Sequence, residues 1–163
     1  IHRAVPEVQF WVVGPDQGER LRLESLVRQL KLGAVVTFLG PKSQDDIAAL
    51  APQASFYLQT SVFEGMAVSV MEAMQFGLVP VVSPVGQIQS YCRDGFNSLI
   101  VNPDESLDVV RRIQEVISTP SRYEQLRQQA ISTWAGASTY SDDVLTRCQT
   151  LMNGSRYVDS LQS

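Results

Sequence analysis

The chain has 163 residues and a formal charge of −4, with 13 Lys and Arg against 17 Asp and Glu, and 44% of its residues are hydrophobic. That length suits one domain able to bury roughly 70% of its unfolded surface. The acidic balance excludes a general nucleic-acid surface, which needs clustered cations, and no run of about eighteen apolar residues is present to span a membrane.

Taken in order, Val8 to Val13 is a short apolar run closed by Gly14-Pro15, the pattern of a buried strand and a turn. Glu19 to Leu30 places Leu23, Leu26, Val27 and Leu30 on one face and Glu19, Arg22 and Arg28 on the other, which predicts an amphipathic helix ended by Gly33. Val35 to Leu39 is a second strand. Ser43 with Asp46 predicts a capped start for a short helix through Leu50, and Ser55 to Thr60 is a third strand. Met66 to Phe76 lacks Pro and Gly and reads as a helix, Pro80 to Val82 as a fourth strand, Ile88 to Tyr91 as a short helix, and Ser98 to Val101 as a fifth strand. Strands alternating with helices imply βαβ units and a parallel sheet. Beyond Asn102-Pro103 only helices are expected, at Ser106 to Ile117, Ser121 to Trp134 and Ser141 to Met152, with a frayed polar tail from Asn153 to Ser163.

The chemistry concentrates between the third strand and the following helix. Ser61 closes the strand, Glu64 and Gly65 form the turn, and Glu72 is the only charged residue from Gly65 to Val79, on a polar stripe with Ser69 and Gln75. Gly65 is expected to let the backbone turn tightly. A strand, a glycine turn and a helix N-terminus form a ready anion site, because the first helical N–H groups have no partner within the helix. Other special residues, Gly14, Gly40 and Gly86, also follow strands, where ligands of doubly wound sheets sit. Read alone, a helical Glu on a polar stripe is most often a solvated face. Cys92 and Cys148 are isolated and His2 is the one histidine, so a zinc site or a Cys–His nucleophile is not expected. Two such thiols suit a reducing compartment.

Together, Phe63-Glu64-Gly65-Met66-Ala67, Val70-Met71-Glu72-Ala73-Met74 and Gly77-Leu78-Val79-Pro80-Val81-Val82-Ser83 resemble the signature of the retaining GT-B glycosyltransferases of family 4. Phe10-Trp11-Val12-Val13-Gly14-Pro15 and Val36-Thr37-Phe38-Leu39-Gly40 are similar to the blocks before that signature, and Asp94 to Val101 to the block after it. The fold implied is α/β: a Rossmann-like parallel sheet with flanking helices, the C-terminal half of a GT-B fold, spanning 1–135, with a helical C-terminal extension over 136–163. The resemblance implies that a nucleotide-diphosphate sugar lies across the strand-end loops. Glu64 is the implied catalytic residue against the donor sugar, while Gly65, Met66 and Ala67 offer backbone N–H groups to sugar and diphosphate. Glu72 takes the ribose hydroxyls, since two carboxylate oxygens can accept from two vicinal hydroxyls. Gly14, Gly40, Pro41, Lys42 and Gly86 line the donor cleft, although Pro41 and Gly40 serve equally well as turn formers and Lys42 as a solvated cation. No metal and no cofactor beyond the donor substrate is implied. The acceptor, a glycan, lipid or small molecule, is expected to arrive from an N-terminal domain.

Two departures qualify this. Gly86-Gln87-Ile88-Gln89-Ser90 carries amides where the family often has a second glycine and an acid, and the Gly-Arg and Lys that neutralise the leaving diphosphate do not precede Val8. The chain begins with Ile1, so it is expected to be a fragment, without its first strand and inactive alone. That strand belongs between the first and third strands found here, and direct pairing of those two, or association with another chain, is expected to close the gap. A cytoplasmic location is expected, peripheral to the membrane in the longer protein. A noncatalytic interaction or sensing module, and a sugar-nucleotide epimerase, remain alternatives; the Glu64 to Glu72 block separates the last from the transferases.

Overall fold

In the computed structural model, which describes residues 1–135, five short strands alternate with helices in chain order. They are β1 (Phe10–Val13), α1 (Arg20–Gln29), β2 (Val36–Gly40), α2 (Gln44–Leu50), β3 (Phe56–Gln59), α3 (Val68–Gln75), β4 (Val79–Val82), α4 (Ile88–Tyr91), β5 (Leu99–Ile100), α5 (Ser106–Ile117) and α6 (Pro120–Thr133). Each expected strand and helix over these residues is present, to within a few residues at its ends. The expected helix at Ser141 to Met152, the polar tail and Cys148 lie outside the described residues. Residues 1–133 form one compact unit. Among the described residues no helix is long and apolar enough to cross a membrane.

All strand pairs are parallel, in two sheets: β1 with β2, and β3-β4-β5 with β4 at the centre. Each residue of β4, Val79-Pro80-Val81-Val82, is buried. A proline at the centre of a sheet usually costs a ladder bond. Here Val79 N–H and Ser83 N–H donate to β3-side carbonyls, of Ser55 and Gln59, so the alternate position of Pro80 faces the β5 side. Pairing with β5 starts only at Val81 with Leu99, so the missing donor falls where there is no strand to receive it. Val79 and Val81 pack with Leu99 of β5, Val101 just after it, Val109, Ile113 and Val116 of α5, and Leu126 of α6. This cluster anchors the central strand and, with it, the loops at its carboxyl end.

Two expectations are corrected. β1 is not a buried strand: Trp11, Val12 and Val13 are 37–42% exposed. An apolar run of this kind reports a preference for burial, but here the strand is paired only with β2 and no residue of α1 is buried to cover it. Nor do β1 and β3 pair with each other; β1 pairs with β2 alone and β3 with β4 alone. The expected closure of the gap by direct pairing is therefore not what the chain adopts.

Candidate functional site

The carboxyl end of β3 delivers Gln59, Thr60 and Ser61 into a turn that reaches α3 at Val68. Helix α3 begins two residues later than Met66, and the turn's strained position is not the glycine. Gly65 does not adopt a left-handed conformation and a Cβ there would meet nothing within 4 Å. Ala67, the residue before α3, is left-handed with φ +51° and ψ +55°. The expectation that Gly65 supplies the tight turn is thus corrected: the conformational demand falls on a buried alanine, at a cost of about 1–2 kcal/mol.

That cost is offset by clamps from the β4–α4 segment. Ser83 Oγ donates to Ser61 O at 2.5 Å, and Gln87 N–H to Gly65 O at 3.0 Å. The Tyr91 hydroxyl donates to Met66 O at 3.0 Å, with Ala67 O at 3.3 Å. Gly86, with φ +55°, approaches so closely that a Cβ would stand 2.1 Å from Glu64 O and 2.6 Å from Gly65 O. Gly86 therefore has a packing role in shaping the turn. Cys92, next to Tyr91, is buried, and burial pushes its thiol up to about 11, so it behaves as a packing residue.

Glu64 is half-buried, and its Oε1 accepts from Gln59 Nε2 at 2.5 Å and Ser61 Oγ at 2.7 Å. Gln59 Oε1 in turn accepts from the Tyr57 hydroxyl at 3.2 Å and from Ser69 Oγ, on the first turn of α3, at 3.4 Å. Burial raises the Tyr57 pKa first of all, a hydrogen bond with Ser69 opposes the rise, and the Glu64 and Glu72 carboxylates add to it. Glu72 accepts from Gln44 Nε2 at 3.2 Å, which joins α3 to the first residue of α2. Pro41 and Lys42 are exposed. Gly14 and Gly40 close β1 and β2 side by side, Gly14 N–H donating to Gly40 O at 3.0 Å, and their φ values of +139° and +68° favour glycine.

Of the predicted residues, Glu64, Gly65, Met66, Ala67 and Gly86 thus gather at the start of α3, Glu72 lies along it and is bonded to Gln44 at the start of α2, and Gly14 and Gly40 pair at the ends of β1 and β2. Sequence reasoning missed Gln59, Tyr57, Gln44, Ser83 and Tyr91 as contributors. A lone amide ending the apolar strand Phe56-Tyr57-Leu58-Gln59 was the one local signal among them.

Tyr91 has a measurable consequence. Burial pushes its hydroxyl up to about 12, with Cys92, Glu64 and Tyr57 adding to the effect. A folded-state value above the unfolded one means that this stability is fully present below about pH 10 and is lost as the pH rises through about 12. Urea midpoints measured upward from about pH 9 are expected to fall over that window, and Tyr91→Phe to flatten the fall while costing about 1 kcal/mol at neutral pH. A Tyr91→Phe variant with the wild-type alkaline slope would contradict this.

Residues 1–133 match the family model described as Glycosyl transferases group 1. A phosphatidylinositol N-acetylglucosaminyltransferase subunit from Arabidopsis thaliana is 29% identical over 116 residues, covering 71% of this chain and 25% of the relative. Sucrose-phosphate synthase from Thermosynechococcus elongatus shares the fold with a TM-score of 0.76 at 23% identity, covering 93% of this chain and 40% of that one. Anabaena HepE in complex with UDP-glucose shares it with a TM-score of 0.79 at 22% identity, covering 93% and 43%. The chain spans about a quarter of the length of the curated relatives it matches.

Proposed function

The chain belongs to the glycosyl transferases group 1 family, and from that premise we propose that it forms the donor side of a retaining GT-B glycosyltransferase of family 4. It would hold a nucleotide-diphosphate sugar while a second domain presents the acceptor. The observation that carries the reading is the arrangement of Glu64 and Glu72: one carboxylate at the turn entering α3, fixed through one oxygen, and a second along the same helix, bonded to Gln44 at the start of α2.

In this reading the diphosphate lies at the α3 N-terminus, where backbone N–H groups of Gly65 to Ala67 and the helix dipole favour negative charge. The donor sugar lies against Glu64. As the bond to phosphate breaks, positive charge develops on the sugar ring, and a fixed carboxylate stabilises it most in the transition state. Retention then follows from same-face attack by the acceptor, the leaving phosphate taking its proton, with Glu64 as electrostatic brace rather than nucleophile. Glu72 accepts from the ribose hydroxyls, with Gln44 Nε2 donating to its Oε1.

The titration of UDP, GDP and ADP into wild type and Glu72→Ala tests the reading and also identifies the nucleotide. Loss of hydrogen bonds to a charged group should weaken the preferred nucleotide by about 1.5–3 kcal/mol, some tenfold to hundredfold. Equal affinity in a folded Glu72→Ala protein would remove Glu72 from the ribose.

A further inference from the structure

Gln59 stands at the end of an apolar strand where nothing about strand packing requires an amide, yet each end of that amide is engaged. Its Nε2 donates to Glu64 Oε1 at 2.5 Å, and its Oε1 accepts from Tyr57 at 3.2 Å and Ser69 at 3.4 Å. Ser61 Oγ donates to the same Glu64 oxygen at 2.7 Å and lies 3.4 Å from Gln59 Nε2. The partners come from β3, from the turn and from the first turn of α3, so the amide links three segments at one carboxylate. Because an amide has a distinct donor end and acceptor end, the Glu64 carboxylate, which can only accept, fixes Nε2 toward itself and leaves Oε1 to the two hydroxyls, which can donate. We propose that Gln59 is a positioning residue that turns the Glu64 carboxylate, holding Oε1 back against the strand end and presenting Oε2 to the donor sugar. The inference rests on the reading above, in which Glu64 meets that sugar.

The charged and titratable groups facing this cluster are Glu64 in the turn, Glu72 on α3, Tyr57 on β3 and Tyr91 on α4. Both phenols titrate above their ordinary range, so between about pH 5 and 8.5 neither changes charge. That leaves a clean test with an isosteric charge. In Gln59→Glu, two carboxylates would face each other at the distance of the present hydrogen bond. At low pH such a pair shares one proton, and the protonated carboxyl introduced at position 59 would donate to Glu64 as the amide does; at high pH both ionise, repel and turn Glu64 away.

The experiment titrates UDP and UDP-glucose into the chain and takes the ratio of the two affinities, each variant referenced to wild type at the same pH. Gln59→Leu is expected to lower the UDP-glucose to UDP ratio at least fivefold while UDP affinity stays within twofold. Gln59→Glu is expected to match wild type near pH 5 and to fall at least fivefold below it near pH 8.5, a reversible change that misfolding would not produce. An unchanged ratio in Gln59→Leu, or a Gln59→Glu ratio that tracks wild type across the range, overturns the assignment. Glu64→Ala, which removes both carboxylate oxygens and with them any hydrogen bond to the sugar, separates the two levels when run in parallel. If it lowers the ratio while Gln59 variants do not, only Gln59 loses its role; if it too leaves the ratio unchanged, the placement of Glu64 against the sugar fails.

Discussion

Glu64→Gln, assayed in a polypeptide that joins this chain to an acceptor-binding domain, is expected to lower turnover at least a hundredfold with little change in donor affinity. The substitution keeps size and shape but replaces a full negative charge by a dipole. In the ground state the donor sugar is neutral and gains little from that charge. In the transition state the ring carries positive charge, and losing a preorganised countercharge in a partly buried site costs about 2.7–4 kcal/mol, a factor of some hundred to a thousand. The local structure sharpens the expectation. Gln59 Nε2 and Ser61 Oγ both donate to Glu64 Oε1, so a glutamine there must keep its carbonyl oxygen toward them and leave its NH2 group where Oε2 was. The variant would aim a donor, with partial positive charge, at the site of developing positive charge. Turnover near wild type, with the donor panel and fold unchanged, would reduce Glu64 to a turn residue.

The alternation of strands and helices was legible in the sequence because each signal is local: the apolar run of β4, the Ser43–Asp46 capping box, which forms in full, and the glycines that close β1 and β2. The order of the two glutamates was legible for the same reason. What was not legible depends on contacts between distant segments. Nothing near Tyr91 reveals that its hydroxyl reaches Met66 O, 25 positions away, or that Ser83 reaches back to Ser61. The exposure of β1 was hidden for a related reason, since Phe10-Trp11-Val12-Val13 reads the same whether or not a strand lies beside it.

The two glycines show where sequence reasoning by residue type goes astray, and they yield the second large effect. Gly86→Ala is expected to destabilise the chain by about 2–5 kcal/mol, combining a left-handed penalty of about 1–2 with an overpacking penalty of about 1–3. Its Cβ would stand 2.1 Å from Glu64 O, 2.6 Å from Gly65 O and 2.9 Å from Glu64 C, all backbone atoms that cannot rotate aside. To make room, the turn must move away from the β4–α4 segment, breaking the bond from Gln87 N–H to Gly65 O and carrying Glu64 with it. Gly65→Ala is the contrasting control. Gly65 lies beside the catalytic candidate, but an added Cβ meets nothing within 4 Å and its conformation is not left-handed, so stability should stay within about 1 kcal/mol of wild type. Urea denaturation gives the first quantity and titration with UDP-glucose the second: Gly86→Ala should lose both stability and binding, whereas Gly65→Ala should keep stability and lose binding alone if the backbone there approaches the donor. The opposite order of stabilities would mean that the turn is shaped from within, by Gly65, and that the β4–α4 segment merely rests against it.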